Sequence, residues 1–181
     1  MKVVFRASIA ISLLLISVLA AGQPKQGPRA PVPAQILTAK KVFVVNAGAD
    51  GGSYPDPPFS GEPDRTYNNF YAAMKTWGHY ELVGAPSDAD FLLEIRFTVR
   101  PALVPGLVQR GDTAYWDAQF RLVIRDPKSH AKLWVLTEQV EKAILQGNRD
   151  KNFDQALARL VSRVQKLTTP PTAAAGDSNS Q

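Results

Sequence analysis

With 181 residues, a net charge of +5 and no cysteine, the chain can support one domain with a real core and has no disulfides, thiol nucleophiles or zinc-thiolate sites. The charge excess is too small to announce a nucleic-acid binder, and it shrinks further when Lys2 and Arg6 are removed with a signal peptide. The missing cysteine also removes the residue on which an exported bacterial protein would carry a lipid anchor.

Residues 1–22 read as that signal peptide. Lys2 and Arg6 precede an uncharged, largely apolar run from Ala7 to Leu19, and small residues follow at Ala20, Ala21 and Gly22. The run is shorter than the roughly 20 residues that a spanning helix needs. No later stretch could cross a bilayer, so the mature chain is expected to carry no integral membrane segment and to be periplasmic or secreted. Export without a disulfide favours the bacterial periplasm.

Residues 23–39 hold Pro24, Pro28, Pro31 and Pro33 among small and polar residues, which predicts a disordered, extended tether. A single domain is expected over residues 40–168, with a polar tail over 169–181. Lys40 to Asn46 is a short β-branched run, read as a strand buried on both faces. Ala47 to Asp64, with four glycines before Pro63 and prolines at 55, 57, 58 and 63, is a long loop. Its Gly48-Ala-Asp-Gly-Gly52 segment lacks the spacing of either common phosphate-binding motif.

Tyr67, Phe70, Tyr71, Met74 and Trp77 form one stripe of an amphipathic helix, with Asp64 as its N-cap and Gly78 as its stop. Tyr80 to Val83 is a short strand. Phe91 to Arg100 alternates apolar and mostly polar residues, as the central strand of a sheet with one covered face does. Pro101 is expected to end its pairing.

The connection from Pro101 to Ala114 carries Leu103, Val104, Leu107 and Val108, an apolar set that either folds back onto the domain or meets a partner or lipid surface. Tyr115 to Arg125 and Lys132 to Val140 form an antiparallel hairpin around Asp126-Pro-Lys-Ser-His130. After a break at Gln146 to Asp150, the apolar spacing from Phe153 to Leu167 predicts the longest helix. Asn152 and Gln155 resemble a capping box there, and Arg159, Arg163 and Lys166 form a solvated basic stripe.

The resulting order, β-α-β-β-β-β-α, is that of an α+β two-layer sandwich: a mixed or antiparallel sheet of about five strands with two helices packed on one face. Neither His79 nor His130 has partners at metal-ligand spacing. No serine elbow is present, and Asp88 and Asp90, which flank one alanine, are read as marking a strand entrance and accepting backbone hydrogen bonds. No catalytic residue, metal site or cofactor is expected.

Gly78-His-Tyr-Glu-Leu-Val83, Ala89-Asp-Phe-Leu-Leu-Glu-Ile95 and Phe120-Arg-Leu-Val-Ile-Arg-Asp126 followed by Leu133-Trp134 occur in an order that resembles the amino-terminal domain of TolB. The chain is also similar to uncharacterised exported bacterial proteins bearing Gln146-Gly-Asn-Arg-Asp-Lys-Asn-Phe-Asp154. The resemblance covers residues 40–167, implies an α+β periplasmic interaction domain, and brings across no catalytic residues. The β-propeller that follows in TolB has no counterpart here.

The function expected from the sequence is non-enzymatic binding of another cell-envelope component, an envelope protein, with the 47–63 and 101–114 connections as contacts. The alternative is a small-ligand carrier using a cleft between sheet and helices, rimmed by Tyr67, Tyr71, Trp77 and Trp134.

Overall fold

Alternation in the middle of the chain and 3.6-residue periodicity on either side of it build a sheet with one helical layer. The computed structural model describes residues 30–49, 58–102 and 115–168. The chain divides between Pro31 and Val32, and every element below belongs to the second unit. In chain order these are helix α1 (Ala34–Thr38), strand β1 (Lys41–Ala49), helix α2 (Arg65–Trp77), β2 (Glu81–Leu82), a 3-10 turn (Pro86–Asp88), β3 (Phe91–Ala102), β4 (Tyr115–Arg125), β5 (Lys132–Gln139) and helix α3 (Gln146–Thr168).

The five strands form one mixed sheet in the order β2-β1-β3-β4-β5. β1 runs parallel to β2 and β3, whereas β3, β4 and β5 are antiparallel. Helices α2 and α3 cover one face, as the α+β reading expects. That face takes Phe91, Leu93, Ile95, Phe97 and Val99 of β3 together with Ala118, Phe120, Leu122 and Ile124 of β4, all buried. From the helices it receives Phe70 and Met74 of α2 and Phe153, Ala156, Leu157, Leu160, Val161 and Val164 of α3.

At the centre of the core, Phe97, Phe120 and Phe153 meet pairwise with ring centroids 4.8 to 5.0 Å apart, and Phe59 closes on Phe97 at 5.3 Å. Such aromatic contacts stabilise beyond the area they bury. Gly78 stops α2 at φ 67, a left-handed conformation that glycine adopts without Cβ strain, and its amide donates to Met74 O.

Six local expectations are corrected. The stretch expected to stay extended through Ala39 folds into α1, and Ile36 is 1% exposed in the core. Pro33 sits just outside the first turn, where its missing N–H costs nothing. β1 is not buried on both faces, because Val42 and Val44 are covered but Phe43 and Val45 are only half-buried, and among the described residues no helix packs on their side.

β3 continues through Pro101, which pairs with Trp116. Pairing with β1 has already ended at Phe97, so beyond it β3 has no strand neighbour on that side among the described residues and tolerates a residue without an N–H. α3 begins at Gln146 rather than after Asp150, and the Asn152 amide donates to Glu141 O instead of capping the helix. Asp64 makes no side-chain cap at α2; its carboxylate accepts from Asn46 Nδ2 at 2.7 Å.

Because Ile36 belongs to the core, Ile36→Ala is expected to cost about 2–3 kcal/mol in denaturant unfolding. A substitution in an extended tether would leave the midpoint unchanged.

Candidate functional site

The carboxyl ends of β1, β3 and β5 and the amino end of β4 lie at one end of the sheet, by the strand directions. Both long connections therefore leave from this end. Leu103, Val104, Leu107 and Val108 lie outside the described residues, as do residues 50–57 of the first connection.

What is described at this end is an ion cluster over an aromatic floor. Arg65, the first residue of α2, donates from Nη1 to Asp150 Oδ1 at 3.1 Å and Ser60 O at 2.7 Å, and from Nη2 to Asp154 Oδ1 at 2.8 Å. Its guanidinium carbon stands 4.2 Å from the centre of the Phe153 ring. Asp150 also accepts from the Ser60 amide at 2.9 Å, Ser60 Oγ at 2.6 Å and Gln146 Nε2 at 3.2 Å.

Burial pushes the Asp150 carboxyl upward, but the Ser60 hydroxyl and amide, then Gln146 and Arg65, outweigh it and hold the group below the ordinary carboxylate value. The cluster fastens the amino ends of α2 and α3 to residues 58–64. Beneath it is a cavity of about 210 Å³ lined by Phe59, Phe97, Phe153, Thr66 and Arg65.

Beside the cluster, Ile144 and Leu145 are 78% and 67% exposed. Their main chain is fixed nonetheless: the amides of Asn148 and Arg149 donate to Leu145 O at 3.1 and 3.0 Å, and Arg149 Nη1 donates to Ile144 O at 2.8 Å. The first turn of α3 thus holds the backbone of two large apolar side chains that stay in water.

The opposite end of the sheet carries a polar recess of about 630 Å³ lined by Gln35, Lys40, Lys41, Asp88, Asp90, Asp126 and Lys128, among others. Its carboxylates are already occupied by structural donors. Asp90 accepts from the Lys40 and Lys41 amides at 2.7 and 2.9 Å, so it takes the strand-entrance position expected of it. Asp126 accepts from the Ser129 amide and hydroxyl, the Lys128 amide and Gln35 Nε2.

The Lys41 and Lys40 amides lower the Asp90 pKa, and the Ser129 amide, then Gln35 and Ser129 Oγ, hold Asp126 far below the carboxylate range. Groups stabilised as anions in this way are poor proton donors at neutral pH. Asp88 accepts from Ser87 Oγ at 3.1 Å and has no part in either set.

For all three aspartates the folded value lies below the ordinary 3.8, so their stabilisation is complete above that pH and is lost as the pH falls through the folded values, where the unfolded chain binds more protons. Denaturant unfolding followed from pH 6 to pH 2 is expected to show stability falling below about pH 4. Asp126→Asn, which cannot titrate, should flatten that slope.

The proposed cleft residues are dispersed. Tyr67 and Tyr71 lie 6.0 Å apart on α2. Trp77, at the far end of that helix, stacks on His79 at 4.7 Å and meets Tyr80 edge-on at 5.4 Å, whereas Trp134 lies on the edge strand β5 opposite Ile124. His130 occupies the hairpin turn with φ 57. Among the described residues, no group of three or more His, Cys, Asp or Glu side chains could hold a metal ion, and no helix is long and apolar enough to cross a membrane.

Sequence reading missed Ile144, Leu145 and the Arg65 cluster. The adjacent apolar pair before a polar helix start was the available signal for the first; the second joins residues some 85 positions apart and left none.

No family model and no curated protein matches the chain. Among solved structures it is similar to a Xanthomonas campestris protein of family DUF330, at 15% identity and a TM-score of 0.47 over 75% of this chain and 86% of that one. It is similar also to the PelC dodecamer from Paraburkholderia phytofirmans, at 14% identity and a TM-score of 0.44 over 77% and 94%. A putative neuraminyllactose-binding hemagglutinin homolog from Helicobacter pylori gives 12% identity and a TM-score of 0.43 over 82% and 90%.

Proposed function

We propose that the chain is exported to the periplasm behind a cleaved signal peptide and works without catalysis, by binding another protein of the cell envelope at the loop-bearing end of its sheet. The observation that carries this reading is the pair Ile144 and Leu145, exposed on a main chain fixed by the first turn of α3. A backbone already held in place loses little freedom on binding. Full burial of each is worth about 1.5–3 kcal/mol, the scale of an interface hot spot. The apolar Leu103, Val104, Leu107 and Val108 belong to the connection that leaves from this end and are further contact candidates in this reading.

Replacing those four residues by serine should preserve the far-UV spectrum and melting temperature while abolishing co-purification of an envelope protein with the tagged mature chain. Co-purification at wild-type yield from the folded variant would remove that connection from the contact.

A second reading, binding of a small apolar ligand, draws on the cavity walled by three phenyl rings and Arg65. A ligand present at a hundred times its Kd would stabilise the fold by about 2.7 kcal/mol. A metabolite panel that leaves the melting temperature unmoved would count against it.

A further inference from the structure

β5 is one edge of the sheet. The Val140 amide donates to Ala118 O at 2.9 Å, and the register sets Leu136 opposite Leu122 and Glu138 opposite Phe120. Hydrogen-bonded and non-hydrogen-bonded pairs alternate in an antiparallel ladder, so residues 134, 136 and 138 turn their backbone groups toward β4. Leu133, Val135, Thr137 and Gln139 turn theirs outward. An outward row of this kind is a template for another strand.

Two of its carbonyls are occupied from the helical layer. Arg163 Nη1 donates to Thr137 O at 2.5 Å and Arg159 Nη2 to Gln139 O at 3.0 Å. Glu138 aligns both guanidinium groups, accepting from Arg159 Nε at 2.6 Å and from Arg163 Nη1 at 3.2 Å. The two arginines expected to be a solvated stripe therefore reach the sheet edge. As ion pairs at a partly exposed site they would add little stability. Their placement on outward carbonyls has a different consequence, because a guanidinium seated on the carbonyl stands where the N–H of an incoming strand would approach.

We propose that Arg159 and Arg163, aligned by Glu138, guard the β5 edge, and that the event they block is antiparallel addition of β5 from a second copy of this chain. The strand is suited to pairing with itself. A two-fold axis through Val135, whose side chain is 40% exposed, sets Lys132 against Glu138 of the second copy, Leu133 against its Thr137 and Trp134 against its Leu136. Lys132 meets Glu138 with opposite charge, and Trp134 meets Leu136 as an apolar pair. Release of Glu138 from the arginines makes it available to Lys132, so loss of the guard both opens the edge and supplies its partner.

The test is sedimentation of the mature chain over a range of concentrations. The wild type should remain a monomer where a folded Arg159→Ala/Arg163→Ala variant shifts in mass from one chain toward two. Adding Val135→Pro should restore the monomer, because it removes an outward N–H and leaves the β4 ladder intact. If the double variant fails to fold, Arg163→Lys serves in its place: it keeps the charge beside Glu138 but lacks the fork that holds carboxylate and carbonyl together. A folded variant with the mass of the wild type, a wild type whose own association is abolished by Val135→Pro, or association that survives Val135→Pro would each overturn the proposal.

Discussion

Phe153→Ala lowers the free energy of unfolding by about 3–5 kcal/mol, an effect on the scale of the stability of an entire domain of this size. Phe153 is buried on α3 and meets Phe97 of β3 at 5.0 Å, Phe120 of β4 at 4.8 Å and Phe59 at 5.8 Å. One ring therefore joins the helix to two strands and to the segment that precedes α2. Its removal leaves a void next to an existing cavity, and it takes away the face on which the Arg65 guanidinium rests. The backbone of three elements cannot collapse to fill that space, so the cavity cost adds to the lost transfer energy. Equilibrium denaturation in urea measures the effect. Phe153→Leu, which keeps most of the volume, should lose less than half as much.

Ile144→Asp with Leu145→Asp is expected to leave that stability almost unchanged and to reduce affinity for the envelope partner by roughly a hundredfold or more, since burial of two such side chains supplies about 3 kcal/mol at the low end. Both residues are exposed, so the folded chain loses no core contact, and the hydrogen bonds that fix their backbone are accepted by main-chain carbonyls that the substitution keeps. Stability and binding are thereby separated. Binding measured with the purified partner should change chiefly in its dissociation rate, because apolar contacts at an interface act after encounter. A folded variant that binds as tightly as the wild type removes the pair from the interface.

The parts of the fold that were legible in the sequence are those where a local period fixes a face. β3 alternates, α2 carries an aromatic stripe ending at Gly78, and Asp126 organises a turn between two apolar strands. These predict a five-stranded sheet under two helices, which is what forms. The errors lie where tertiary contact overrides composition. Proline-rich sequence argued against α1, but a single turn suffices to place Ile36 under Tyr80, whose hydroxyl donates to Ile36 O at 3.4 Å and whose ionisation burial pushes up to about 12. Polar residues argued against the first turn of α3, but Asp150 is held there by Ser60 and Arg65, which lie 90 and 85 positions earlier in the chain, and it accepts from Gln146 in turn.

The same limit applies to the site. The aromatic residues that periodicity marks out, Tyr67, Tyr71, Trp77 and Trp134, are dispersed over a helix and an edge strand. The residues that converge, Arg65 with Asp150 and Arg159 with Glu138, are far apart in sequence and carry no motif. Their spacing is set by the register of the sheet and by the packing of α3 across it, neither of which a single sequence displays.

A photo-activated cross-linking side chain at Leu145, compared with one at Lys128 at the opposite end of the sheet, tests the binding reading most directly. In intact cells the Leu145 position should yield one adduct of discrete mass with an envelope protein, and the Lys128 position none. Equal adducts at both positions, or none at Leu145, would contradict it.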